Sequence, residues 1–396
     1  MTDSSQLPLF PGADPNPLSS AVDSRARAIG WKRNSFIRHP APQDRMSKTG
    51  SYRLSIPRGD TAEPSDELRD VVSWIYGIPE GRERFRWALR DSLDELMDGQ
   101  RTGRWCYQHL SKPEKTHLGT SVEVNLTKEF GIDPGEDLDW RIAGIDLDCK
   151  FSRDLGGWEI PMEMYICPDH GSRSGKADQI AMLVWLDDDR SEWAAGLMRI
   201  TDQRLGWRKR KNSDERERGY NRDNKRKIDR SSFQHIFWLW GGVQSDLPTN
   251  LLLHLDAGCR DRILKDGSGQ ARVNQLFREV TGRIINRYTV LTVAQQDDSP
   301  KRVRDARSNL KNEGYVILGH ESAHKKVADR LGLQAPVKGE WLSARLTRVE
   351  SYGDRPSVCL GHHNWAVARE GENMFAAPPE NGLKELPIPD LTGFKE

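Results

Sequence analysis

Long apolar runs are missing from this chain. No stretch of 18 apolar residues occurs among its 396 residues, which excludes a helical membrane span and a membrane partner. The opening, Met1-Thr-Asp-Ser-Ser-Gln-Leu-Pro, has neither the basic start nor the apolar segment of a secretory signal. Cysteine is scarce as well: Cys106, Cys149, Cys167, Cys259 and Cys359 are odd in number, widely scattered and form no Cys-x-x-Cys pair. That pattern fits reduced thiols in a cytoplasm and excludes a disulfide framework. Cys167 and His170 stand at a metal-like spacing, but no second pair accompanies them, so no zinc site is expected. Net charge is nearly absent, at +1, so any affinity for a polyanion must come from local patches. No internal repeat is present.

What is there suffices for two or three domains. A charged fraction of 30% and a hydrophobic fraction of 36% describe a water-soluble chain with a real core. Residues 1–65 are rich in Pro, Ser and Arg and read as a flexible extension. From residue 66 a folded unit begins. Leu68, Val71, Val72 and Ile75 recur at helical spacing, residues 85–97 give a second amphipathic helix, and a third starts near Thr120. Strands follow. Residues 140–151 alternate, with Ile145, Leu147, Cys149 and Phe151 on one face and Asp146, Asp148 and Lys150 on the other. Residues 180–185 form a continuous apolar run suited to a strand buried on both faces, and 193–200 form another strand. Helices around a small mixed sheet make an α/β domain over 66–206. Residues 207–230 hold eleven Lys or Arg against five Asp or Glu, and 207–232 read as a basic linker or insertion. A second folded unit is expected over 233–396.

The chemistry concentrates between Asp139 and Lys150. On a strand, residues two apart share a face, so Asp148 and Lys150 project together, and Asp139 stands at the strand start or in the turn before it. Two carboxylates hold a hard divalent cation such as Mg²⁺ through oxygen. The cation polarises a phosphate, and an adjacent ammonium group stabilises the negative charge that builds up on it. Glu123, on the helix upstream, is a candidate further ligand.

The run Asp139-Trp-Arg-Ile-Ala-Gly-Ile-Asp-Leu-Asp-Cys-Lys-Phe-Ser152 resembles the PD-(D/E)xK nuclease motif, and specifically the NaeI family of type II restriction endonucleases. Other segments share the likeness in order: Leu96-Met-Asp-Gly-Gln-Arg-Thr-Gly-Arg104, Lys115-Thr-His-Leu-Gly-Thr-Ser-Val-Glu123, Gly157-Trp-Glu-Ile-Pro161, Asn250-Leu-Leu-Leu-His254, Gly269-Gln-Ala-Arg-Val-Asn274 and Ile317-Leu-Gly-His320. The resemblance spans about 66–380, with a longer insertion near 207–235. It implies a restriction-endonuclease-like mixed sheet flanked by helices, followed by a winged-helix domain like that of the catabolite activator protein. It implies a homodimeric, Mg²⁺-dependent bacterial enzyme of the cytoplasm and nucleoid that cuts double-stranded DNA. Its active-site set would be Glu123, Asp139, Asp148 and Lys150, and a second copy of DNA would bind as effector.

Residues alone support the winged helix. On the helix expected at 301–312, Val303, Ala306 and Leu310 share one side, while Lys301, Arg304, Ser308 and Lys311 share the other, with Arg307 at the border. The polar side suits a DNA groove or its phosphates. Arg101 and Arg104, in the loop after a helix end at Asp98-Gly99, are further candidates for DNA contact. Leu96-Met-Asp-Gly-Gln-Arg101 resembles a DNA ligase motif, yet Leu96 stands where the nucleophilic lysine is required, which excludes adenylation. Gly361-His-His-Asn364 resembles part of an HNH nuclease site, but no histidine follows His363 to complete it. Asp187-Asp-Asp189 reads as a polar turn.

The pentapeptide of Gln6, Leu7, Pro8, Leu9 and Phe10 resembles the peptide by which bacterial proteins dock on the replication sliding clamp. Two alternatives to restriction therefore stand beside it: a clamp-recruited repair nuclease acting on mismatches or nicking one strand, and a DNA-binding regulator whose nuclease-like domain is inert.

Overall fold

The computed structural model describes residues 36–42, 63–296, 298–350 and 355–378; the clamp-like pentapeptide at 6–10 lies outside them. The chain divides into two units, one holding 39–98 and Arg104–Arg260, the other holding 36–38, Gly99–Gly103 and the residues from Asp261 onward.

The first unit is built on a five-stranded sheet in the order β1-β2-β4-β5-β9. Its centre is β4 (Ile180–Asp187), whose eight residues are all buried, as its unbroken apolar run demands. β4 pairs antiparallel with β5 (Glu192–Arg199) and parallel with β2 (Ile145–Ser152), so the sheet is mixed. β5 pairs with β9 (Phe237–Trp238). Helices α1 (Asp66–Gly77) and α2 (Gly81–Met97) bury the apolar stripes read from their spacing, including Leu68, Val71, Leu89 and Leu93. Helix α3 (Lys112–Phe130) packs on α2 and β2.

Two expectations are corrected here. Helix α3 begins at Lys112, not near Thr120, because Ser111 and Glu114 form a reciprocal capping box with Pro113 in the first turn. The strand expected over 140–151 is a hairpin: β1 (Trp140–Ile142) folds back on β2 through Ala143 and Gly144, both at positive φ. That is the two-residue turn whose twist matches paired strands.

Residues 207–232 do not form a linker. They fold within the first unit as β6 (Trp207–Lys209), β7 (Arg216–Arg218) and β8 (Lys225–Lys227). β8 pairs with β3 (Glu159–Pro161). Arg226 is fully buried: its guanidinium bonds Asp202 at 2.5 Å and the carbonyl of Leu205 at 3.0 Å, and it lies over the rings of Trp207 and Tyr220. Ile228 and Phe233 enter the core beside Trp158 and Trp185. A high density of charge masked these short strands in the sequence.

In the second unit, α4 (Gly269–Glu279), α5 (Arg287–Ala294) and α6 (Ser299–Leu310) follow one another. Ser268, Asn286 and Asp298 accept bonds from the backbone N–H of Ala271, Thr289 and Lys301, each satisfying an orphan donor at a helix start. The unit's sheet has the order β10-β12-β14-β13, with β11 (Tyr315–Leu318) on β12 (Glu340–Val349). Its other strands are β10 (Ile284–Asn286), β13 (Ser357–Leu360) and β14 (His363–Val367), and α7 (Ser322–Arg330) lies between β11 and β12. Gly103 shows why glycine is needed in the 99–103 turn. It adopts φ +71°, and a Cβ would collide with the Ile37 carbonyl.

Candidate active site

The β1–β2 register matches Trp140 with Leu147, Arg141 with Asp146 and Ile142 with Ile145. One further step places Asp139 opposite Asp148. Directly opposed residues share a face, so the hairpin brings together two carboxylates that lie nine residues apart in sequence. Asp139 is fixed there by its Oδ2, which accepts from the Cys149 N–H at 3.2 Å. Lys150, two residues beyond Asp148, sets its Nζ 2.5 Å from Asp148 Oδ2. The shared face expected of Asp148 and Lys150 is thus the one observed.

Glu123 reaches the same cluster from α3. Trp140 donates from its indole to Thr127 Oγ1 at 2.7 Å, and Thr127 Oγ1 donates to the Glu123 carbonyl at 2.8 Å. These bonds tie the helix turn bearing Glu123 to the hairpin. Burial and the Asp139 carboxylate raise the Glu123 carboxyl above its ordinary value, against the pull of Lys150. Asp148, only 5% exposed, is raised to about 7, first by burial and then by the Asp139 carboxyl, again opposed by Lys150. Two acids that repel one another beside one ammonium group make a site of unmet negative charge.

A divalent cation fits this set. Asp148 Oδ1 is buried and has no hydrogen-bond partner, an orphaned oxygen of the kind a hard cation takes. Among the described residues no three His, Cys, Asp or Glu side chains close into a complete metal cage. Mg²⁺ does not need one, because it keeps several waters and binds through one or two carboxylates. The third acid of the row, Asp146, is committed elsewhere: its Oδ2 accepts from the N–H groups of Glu136 and Asp137 at 2.7 and 3.0 Å, which lowers its carboxyl.

One supporting network escaped the sequence reading. Asp187, Asp188 and Asp189, expected as a polar turn, are partners for arginines. Arg90 and Asp188, each 1% exposed in the side chain, pair at 2.6 Å, and Arg90 also pairs with Asp94. Arg153, just past β2, reaches Asp187 and Asp189 at the end of β4, clamping the neighbouring ends of the two parallel strands. No local motif announces such pairs, since Arg90 and Asp188 are 98 positions apart.

The remaining candidates are scattered. Arg104 is occupied by the carbonyls of Met97 and Leu96 and by Glu114 at 2.7 Å. Arg101 is exposed on the 99–102 turn. On α6, Lys301 and Arg304 are exposed, while Val303, Ala306 and Leu310 are buried as their spacing requires; Lys311, just past its end, is half-buried. Arg307 donates to the Ile317 carbonyl at 2.8 Å. Gln295 ends α5 in the left-handed conformation and bonds both backbone groups of Ile37. His170 lies against the Tyr220 hydroxyl.

Comparison with known proteins gives the chain's family. The family model described as restriction endonuclease NaeI matches residues 76–376. The chain is 40% identical over 326 residues to the type II restriction enzyme NaeI of Lentzea aerocolonigenes, covering 80% of this chain and 95% of that one. The chain belongs to the NaeI restriction endonuclease family. Members of this family are nucleases by name, and the clustered acids and lysine lie inside the matched region. So do the second unit's helices and sheet. Among the described residues, no helix is long and apolar enough to cross a membrane.

Proposed function

We propose that this chain is a Mg²⁺-dependent, site-specific endonuclease that hydrolyses phosphodiester bonds in double-stranded DNA. The observation that carries the reading is the meeting of Asp139, Asp148 and Lys150 at one end of a β-hairpin, with one Asp148 oxygen buried and unpartnered. Asp139 and Asp148 would hold the cation, with Glu123 placed to add a ligand or to hold a water of its shell. Bound there, the cation supplies electrophilic polarisation of the scissile phosphate. Lys150 stabilises the negative charge that grows on the phosphoryl oxygens. Family membership favours a restriction role, and the resemblance implies a homodimer that cuts both strands.

The second unit is read as a winged-helix domain for a further copy of DNA. Three capped helices accompany a small antiparallel sheet whose first strand, β10, lies between α4 and α5, and α6 exposes Lys301, Arg304 and Ser308 opposite its buried face. Arg307, at the border of that face, ties α6 to β11 through the Ile317 carbonyl.

The test is a digest of plasmid DNA with Mg²⁺, followed by sequencing of the ends. Discrete fragments are expected, and the rate should fall at least about 10³-fold in Lys150→Ala and in Asp139→Asn, with DNA binding retained. Absence of metal-dependent cleavage by the intact chain across DNAs of varied sequence would show the reading to be wrong.

A further inference from the structure

We infer that the β6–β7 hairpin is a clamp for the DNA backbone, gripping phosphates outside the base pairs being cut; this rests on the nuclease reading above. Three observations lead there. The first is placement. β2 and β4 pair in parallel with Asp148 beside Ala181 and Lys150 beside Leu183. Residues so paired share a face of the sheet, so the side bearing Asp148 and Lys150 also bears Ala181, Leu183 and Trp185. Those three residues lie in one core cluster with Ile228, Phe233 and the partly buried Tyr220. The basic segment therefore packs on the same side of the sheet as the acid–lysine pair.

The second observation is rigidity. A loop of this composition, left free, would lose entropy on gripping a ligand. Here Asp202 is bonded by both Arg218 and the fully buried Arg226, at 2.8 and 2.5 Å. Arg218 and Arg226 both lie 5.1 Å from the Trp207 ring centre. The strand bases are thus fixed and the hairpin is held in place before any ligand arrives.

The third observation is how charge is divided between the hairpin's faces. Arg208 is matched with Glu217 and pairs with it at 2.7 Å, and Arg210 pairs with Glu215 at 3.2 Å. That face neutralises itself. On the opposite face, Lys209 stands directly across from Arg216. Like charges set opposite each other in a ladder are unfavourable. Lys209 has an exposed partner in Asp214 of the turn, a contact of little worth in water. Lys211 and Arg216 are exposed. Lys209 and Arg216 thus stand at opposed positions on a fixed scaffold, each with one carboxylate near it, Asp214 and Asp229, and an anion between them, such as a DNA phosphate, would relieve their repulsion.

The experiment uses the full chain carrying Lys209→Gln, Lys211→Gln and Arg216→Gln, beside Arg208→Gln/Glu217→Gln as the control for the opposite face. Binding to a mixed-sequence 40-base-pair duplex is measured without divalent metal over a series of salt concentrations. Three lost phosphate contacts lower the slope of log K against log salt by roughly 2 to 3, while the control keeps the slope of the unaltered chain. Equal thermal midpoints confirm that the folds are intact. A triple variant with an unchanged slope overturns the clamp, as does an equal loss in the control. A chain that binds with the expected slopes but never cuts DNA with Mg²⁺ overturns the nuclease reading instead and leaves the clamp standing.

Discussion

Replacing Asp148 by asparagine is expected to abolish cleavage and yet stabilise the fold. The Asp148 carboxyl moves from an ordinary value of 3.8 to about 7 in the folded chain. That change corresponds to a preference of at most about 4 kcal/mol for the protonated form. The sign follows from proton counting. Between pH 4 and 7 the folded state binds a proton that the unfolded state does not, so stability falls as pH rises through that window and stays low above it. An asparagine amide carries no charge, keeps a donor for the Asp139 carboxylate and keeps an acceptor for Lys150. It loses part of the charge-assisted bond to Lys150, which offsets about 1–2 kcal/mol of the gain. The net expectation for Asp148→Asn at pH 8 is a stabilisation of about 1–3 kcal/mol, shrinking towards zero near pH 4. Urea midpoints at pH 4.5, 6 and 8, with chelator present, read this directly. Mg²⁺ at several times its dissociation constant should return about 1 kcal/mol to the unaltered chain and little to the variant. A variant less stable than the parent at pH 8, or a difference that does not grow with pH, would refute the claim that these acids are held together under repulsion.

Two other perturbations probe the frame. His109 donates from Nε2 to the Pro40 carbonyl at 2.8 Å and accepts at Nδ1 from the Trp105 N–H, and burial lowers its imidazole to about 4. Stability that depends on neutral His109 is therefore present above pH 6.5 and lost as pH falls towards 4; a proton-NMR titration should place His109 near 4, and His109→Gln should flatten this part of the pH profile. Arg90→Ala leaves Asp188 buried without its ion pair, and should destabilise the first unit by about 3–5 kcal/mol in a urea melt; a loss under 1 kcal/mol would mean that the pair contributes nothing to holding the strand ends.

Much of the first unit was legible because its residues obey simple periods. The apolar run at 180–185 became β4, buried throughout, and the alternation at 145–151 became β2, although its burial does not alternate, since Asp148 is buried along with Leu147 and Cys149. The errors have local physical causes. Ala143 occupies a positive-φ position where glycine or asparagine is the usual signal, so the hairpin was read as one strand. Ser111-Lys-Pro-Glu114 carries a full helix-start signature, but the first two turns that follow it bury no side chain before Leu118, so apolar spacing alone does not mark them. The basic segment hid its strands because, of the three, only β8 buries a residue, and that residue is an arginine.

The hairpin error bears directly on the chemistry. A straight strand would carry Asp139 about 30 Å from Asp148, at roughly 3.3 Å per residue, far beyond the reach of a shared cation. The alternation alone therefore accounts for Asp148 and Lys150 but not for Asp139. What closes the site is a turn of two residues: it reverses the chain so that positions summing to a constant face one another, and 139 pairs with 148 only in that register. Inserting one residue between Ala143 and Gly144 would shift the pairing by one and turn Asp139 away from Asp148, while leaving every member of the acid–lysine set in the sequence. The spacing, rather than the presence of the residues, is what makes the site.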